Sequence, residues 1–332
     1  MNATNERMKY NYRVCLARVD GRDKKTWLQT VRHITDFEKF TGYKDFQKIT
    51  QSTIHDYIEK MLIKGTSLSF ADHNIKALQK FYEWLSIQRG YRSKIEPNLP
   101  RYFQLSASQR KTARAPSYRT SYELDEVRQV IDNMPETTIT EQRNKAIVSL
   151  QALCGLRISE LRTIKMRNFI YDKDTGRHFV YVDPKDMSVK FAKTRQAFIM
   201  PFNHEWLDNV LRWQDRLKKL GWGDKDPLFP IIPNQFNQLN ILEPNIKKVA
   251  IRANNAILKV FREAFTATGL PYYPPHTFRH MIARWAETKS PEIFNAVRQS
   301  LGHSNIKTTF ESYGAFTPHK IADILNKAET IC

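Results

Sequence analysis

Between Pro97 and Tyr122 the chain carries no Asp or Glu, while Arg101, Arg110, Lys111, Arg114 and Arg119 remain and the apolar spacing of the flanking regions is lost. Such a stretch has little to bury, so it predicts a basic linker over 97–119 that parts the chain into two domains. The 332 residues suffice for two cores. Ahead of the linker, apolar residues recur at three- and four-residue spacing in three runs. Trp27, Leu28, Val31, Ile34, Phe37 and Phe40 make the first, closed by Gly42. Ile54, Tyr57, Ile58, Met61 and Leu62 make the second, closed by Gly65, and Phe70, Ile75, Leu78, Phe81, Tyr82 and Leu85 the third. Helical stripes of this kind can bury one another, so residues 1–96 predict a small helical bundle behind a polar leader. Its aromatics keep the helical period and read as core rather than as a base-stacking platform.

A second domain is expected over 120–332. Thr120 and Glu123 have capping-box spacing, and Leu124, Val127, Val130 and Ile131 carry the helix that follows. The next helix, through Ala146, Ile147, Leu150 and Leu153, stops at Gly155. A turn there would deliver Arg157 to the start of a further helix, with Glu160 on the same face. The period then shortens to β-rich runs at His178–Val182, Met187–Phe191 and Ala197–Met200, which predicts a short antiparallel sheet with Lys193 in its last turn. Helical period returns over Asn203–Leu220 and over Pro244–Thr268. The second of these is rich in Lys247, Lys248, Arg252, Lys259 and Arg262, and a basic helix of that kind suits a DNA major groove. A terminal helix on Ile321, Ile324, Leu325 and Ala328 follows the break at Gly314 and Pro318, and can pack at home or dock on a neighbouring copy. The expected class is mainly α with a small antiparallel β-sheet, arranged as a two-domain clamp.

Lys and Arg number 53 against 34 Asp and Glu, a formal charge of +19, and a surface so basic calls for a polyanionic partner, most simply nucleic acid. The polar N-terminus has no apolar signal region, and no segment offers about eighteen uninterrupted apolar residues. A soluble, unexported, cytoplasmic protein with no membrane partner is expected. Cys15, Cys154 and Cys332 are odd in number and far apart, which suits a reducing compartment.

The chemistry concentrates between Pro274 and Tyr313. The proline pair suits the approach to a helix opened by His276 and Arg279, three residues apart on one face. A helix start offers N–H groups to a phosphate, and a guanidinium adds a planar fork. Leu301-Gly302-His303 and Thr308-Thr309 lead to Tyr313. His276 and His280 stand four apart as in a zinc helix, but with Arg279 between them and no Glu they make a poor cation site.

Read in order, Arg157, Lys193, His276, Arg279, His303 and Tyr313 resemble the tyrosine recombinases, the phage-integrase-type family. The matching pieces are Gly155-Leu-Arg-Ile-Ser-Glu160, the turn lysine eight residues before Pro201, His276-Thr-Phe-Arg279-His280, Leu301-Gly-His303 and the Thr-Thr-x-x-x-Tyr313 ending, so the resemblance covers 120–332. It implies site-specific recombination of double-stranded DNA through a 3′-phosphotyrosyl intermediate, with Tyr313 as nucleophile and a tetramer assembled on two DNA sites. Accessory DNA-binding proteins are a further partner class it allows. Arg157 and Arg279 would hold the phosphate, His276 would move the phenol proton, and Lys193 would protonate the departing 5′-oxygen. His303 would support the phosphate, and Glu160 would orient its neighbours. The ester energy stays in the phosphotyrosine, so no cofactor, ATP or metal is required. Arg110, Lys111, Arg114, Lys247, Lys248 and Arg252 are candidate DNA contacts.

Two departures stand out. The turn lysine lacks flanking glycines, which leaves Lys190 as an alternative, and the chain before residue 24 is too short for a separate arm-binding domain. A non-catalytic DNA-binding regulator and a type IB topoisomerase are the competing readings.

Overall fold

The computed structural model describes residues 2–114, 121–189, 193–236 and 242–302. The chain divides into two units, residues 1–115 and 116–332.

In the first unit, α1 (Ala3–Arg18), α2 (Lys24–Phe40), α3 (Gln51–Ile63) and α4 (Leu68–Ser86) begin on side-chain caps. Asn2, Asp23, Thr50 and Ser67 each accept a first-turn backbone N–H. The leader anticipated before residue 24 is a helix, because Met8, Tyr12 and Leu16 recur every four residues and are buried with Ile34, Phe37, Ile54, Leu78 and Phe81. Of the linker anticipated over 97–119, residues 115–119 lie outside the described residues, and the stretch before them is structured. Leu99, Phe103 and Leu105 lie in the same core, and the Phe103 ring stacks on Tyr82 at 4.8 Å. A further helix, α5 (Ala107–Arg114), carries the chain along α4. Two polar clusters are enclosed here. Lys9 meets Glu38 and, at 2.6 Å, Glu6, and Asn5 Nδ2 donates to Glu38 at 2.9 Å. His33 sits between Gln29 and Asn74, and Asn74 accepts from the Tyr57 hydroxyl.

The second unit is built on α7 (Ile139–Cys154), buried on every side from Ala146 to Cys154. It follows α6 (Leu124–Asn133), whose capping box is Glu123 with Glu126; Thr120 lies outside the described residues. A short α8 (Ile158–Thr163) leads into β1 (Phe169–Asp172), β2 (Arg177–Val182) and β3 (Arg195–Phe198), an antiparallel sheet in chain order with Phe169 opposite Val180 and Phe179 opposite Phe198. The sheet class is as expected, yet its first strand is Phe169–Asp172. Met187–Val189 are not strand, because Asp186 is held by Lys165 and Arg167, which draws this segment toward the α8–β1 connection.

Next comes α9 (His204–Lys219), which packs Trp206 and Trp213 against α7. The hairpin of β4 (Asn234–Phe236) and β5 (Leu242–Pro244) follows, then α10 (Asn254–Ala267), α11 (Thr277–Glu287) and α12 (Pro291–Ser300). The helix anticipated from Pro244 thus starts ten residues later, and Lys247, Lys248 and Arg252 precede it. Their segment pairs backbone with Ile231 and Pro233 instead, and Arg162 ties the carbonyls of Ile251 and Arg252 to the end of α8. No helix among the described residues is long and apolar enough to cross a membrane.

Candidate active site

Gly155 caps α7 in the left-handed conformation (φ +54°), and the turn has no room for a side chain. A Cβ there would lie 2.9 Å from Ile282 Cδ1 and 3.2 Å from Arg279 Cγ and from Leu301 Cδ2. The turn is thereby pressed against α11 and the end of α12. Gln151, fully buried one turn back, donates to the carbonyls of both Leu156 and Pro275, fixing the turn to the residue before His276.

Arg157 follows as the cap of α8. Its backbone N–H donates to Glu160 Oε2 (2.8 Å) and its Nη1 to Glu160 Oε1 (2.9 Å). The Arg157 side chain stays 24% exposed, whereas Glu160 is fully enclosed. A second guanidinium closes the carboxylate from the other side: Arg195 Nη1 reaches Oε1 at 2.9 Å and Nη2 reaches Oε2 at 2.7 Å. Burial alone would raise the Glu160 carboxyl, but the hydrogen bonds and charges of Arg195 and Arg157 outweigh it and hold the group below its ordinary range. Arg195 also donates from Nε to the Ser300 carbonyl, and the Phe198 N–H donates to Ser300 Oγ, so β3 is stitched to α12.

Arg279 lies beneath, 1% exposed, with Nη1 donating to the Gly155 carbonyl and Nη2 to the Leu301 carbonyl. Both terminal nitrogens are thus engaged by backbone carbonyls. His276 is exposed at the head of α11, its ring 5.1 Å from and perpendicular to the ring of buried His280. Tyr122 fixes the approach to this helix. Its hydroxyl takes the Tyr273 N–H and donates to the Tyr273 carbonyl, and its ring stacks on Phe265. No group of three His, Cys, Asp or Glu side chains among the described residues is placed to hold a metal ion.

Residues 121–319, more than half of the chain, match the phage integrase family. The chain belongs to that family of tyrosine recombinases. Among its relatives, tyrosine recombinase XerC of Bacillus licheniformis is 25% identical over 296 residues, 86% of this chain and 84% of that one. Tyrosine recombinase XerD of Vibrio cholerae is 23% identical over 283 residues, 85% and 79% of the two chains. The fold is that of a lambda integrase solved as a tetramer on a Holliday junction (TM-score 0.64, 15% identity, 94% of this chain and 79% of that one). It is also that of XerH bound to its difH substrate (TM-score 0.59, 14% identity, 97% and 94%).

Of the integrase-type residues, the structure gathers Arg157, Glu160, Arg279 and His276 around the Gly155 turn, and ends its description at Leu301-Gly302, directly before His303. His303 and Tyr313 lie outside the described residues, as does Lys190. Lys193 is described and exposed, two residues before Arg195. Of the candidate DNA contacts, Lys111 on α5 is exposed and Arg110 half-buried. Lys248 is engaged by Asp226 at 3.0 Å and lies over the Trp222 ring, an internal role that the charge pattern did not reveal. Sequence reasoning missed Arg195, Gln151 and Ser300. The one available signal was that Met187–His204 contains no carboxylate, so a buried cation there had to find its partner elsewhere.

Proposed function

We propose that this recombinase cuts and rejoins double-stranded DNA at a specific site, with Tyr313 as nucleophile. The phenolic oxygen forms a bond to the scissile phosphorus, the bond to the 5′-oxygen breaks, and a 3′-phosphotyrosyl link remains. The phenol proton passes to His276, and Lys193 supplies the proton that the departing 5′-oxygen needs. The free 5′-hydroxyl of a partner duplex then reverses these steps and restores a phosphodiester, so the ester energy is conserved.

The observation that carries this reading is the surplus of cation at the Gly155 turn. One enclosed carboxylate faces two guanidiniums there, a third guanidinium lies below, and Arg157 opens to solvent. In-line attack adds charge to the nonbridging phosphate oxygens, and preorganised donors in a partly dry site stabilise that charge. Arg279 contributes its charge from below, and His303, next in sequence to Gly302, supports the phosphate. Assembly as a tetramer on two sites, with or without accessory DNA-binding proteins, and action in the cytoplasm belong to the same proposal. The two units are read as a core-DNA-binding domain and a catalytic domain.

The test is a nicked suicide duplex bearing the sequences that flank the gene, incubated in EDTA with wild type and with Tyr313→Phe and resolved on a denaturing gel. A protein–DNA band with wild type alone is the expected result. Binding of the duplex by wild type without any adduct would replace the recombinase with a regulator.

A further inference from the structure

Glu160 is saturated. A carboxylate offers about four lone-pair sites, and here Oε1 takes hydrogens from Arg157 Nη1 and Arg195 Nη1 while Oε2 takes them from the Arg157 backbone and Arg195 Nη2. The two arginines are held differently. Arg195 makes the full two-pronged pair with its side chain 9% exposed, is tied through Nε to the Ser300 carbonyl, and packs its Cδ where a Cβ on Gly302 (φ +74°) would come within 2.7 Å. Arg157 gives the carboxylate one side-chain nitrogen. Among the described residues its Nε and Nη2 meet no hydrogen-bond partner.

We infer that Arg195 is a positioning residue of the phosphate site: it occupies the outer lone pairs of Glu160, so that Arg157 keeps its free edge and its charge for the DNA. This rests on the reading that Arg157 binds the scissile phosphate. Without Arg195, a fully enclosed carboxylate would have two empty acceptor positions and one cation in reach, three residues along. A two-pronged pair with Arg157 would satisfy it, because guanidinium and carboxylate match as forks. That pair would turn the Arg157 edge inward and cancel its charge where the phosphate needs it. Arg195 stands two residues from Lys193, yet its effect runs through Glu160 to Arg157.

The experiment measures single-turnover adduct formation by the full chain on a suicide duplex with either an ordinary phosphate or an uncharged methylphosphonate at the scissile position. R195Q should form adduct about 100-fold more slowly on phosphate, the scale for removing one transition-state donor, with duplex binding unchanged. On methylphosphonate its deficit relative to wild type should shrink to a few-fold, since the captured charge is no longer needed. The double variant E160Q/R195Q should be faster than R195Q and match E160Q alone, because a neutral amide does not recapture Arg157. R195K should fall between wild type and R195Q.

An equal R195Q deficit on both substrates would overturn the inference, as would a double variant no faster than R195Q; either result would reduce Arg195 to a brace for β3. If R195Q does not fold, the double variant, which leaves no buried charge unpaired, decides by the same comparison with E160Q. Failure of the wild type to form any adduct at Tyr313 is a separate outcome, which removes the recombinase reading and the inference with it.

Discussion

Lys9 in the first unit reaches two carboxylates, Glu38 and Glu6, whereas Glu160 in the second is reached by two guanidiniums, Arg157 and Arg195. Both clusters enclose one ion completely and leave a second partly in water. Glu38 is shut in and Glu6 is 43% exposed, just as Glu160 is shut in and Arg157 is 24% exposed. The difference is the sign left over. In the first unit the remainder is an acidic group beside the α1–α2 seam, which repels a polyanion. In the second it is a guanidinium edge beside the head of α11. Enclosed ion pairs are weak evidence for stability because desolvation offsets the Coulomb gain, and the comparison shows what to ask of them instead: which partner is in excess, and where its spare donors point.

Substitutions on either side of that contrast should have separable effects. Arg157→Ala should have the largest effect. Adduct formation should fall by about 100- to 1,000-fold while duplex affinity, carried by many other cations, changes little in a filter-binding titration; equal losses in both would mean that the surplus serves binding alone. Lys9→Met strands Glu38, and urea unfolding should show the first unit weakened by about 3 kcal/mol, with adduct formation per folded molecule as in wild type. Gly155→Ala forces a side chain into a left-handed turn against Ile282, costing about 1–2 kcal/mol, and should slow cleavage as well through displacement of Arg279.

The smallest effect separates the units by pH. Burial lowers the His33 imidazole from 6.5, so the folded state prefers it neutral; its contribution is complete above that value and declines as pH falls below it. Glu160 lies below its ordinary 4.5, so its contribution is complete above 4.5 and is lost only as pH falls through the depressed folded value. A calorimetric pH series should therefore weaken the first unit before the second, and His33→Gln should flatten the early change.

The sequence made α2, α3 and α4 legible because their apolar stripes are dense, and the first two end on glycines. Met8, Tyr12 and Leu16 make a thin stripe among polar residues, although their spacing of four is helical. The lack of acids around Leu99, Phe103 and Leu105 predicts a linker, yet a missing charge says nothing of whether an aromatic finds a ring such as Tyr82 to stack on. At the site, Arg157, Glu160, His276 and Arg279 were marked by order and spacing. Arg195 was not, since its partner lies 35 residues away in sequence and only the fold of β3 onto α8 brings them together. The burial of Arg279 was equally illegible, because it depends on two carbonyls, and every residue has one.

The anchoring of Tyr122 also has a mechanical side. Residues 121 and 122 open the described part of the second unit. Ser121 accepts from Arg284 on α11 at 2.7 Å, and Tyr122 is bonded through its hydroxyl to the peptide of Tyr273. A pull at Ser121 and Tyr122 is thus passed directly to Arg284 and to the Tyr273 peptide. That peptide lies three residues from His276, so Ser121 and Tyr122 are fastened like the end of a tendon to the helix that carries His276 and Arg279.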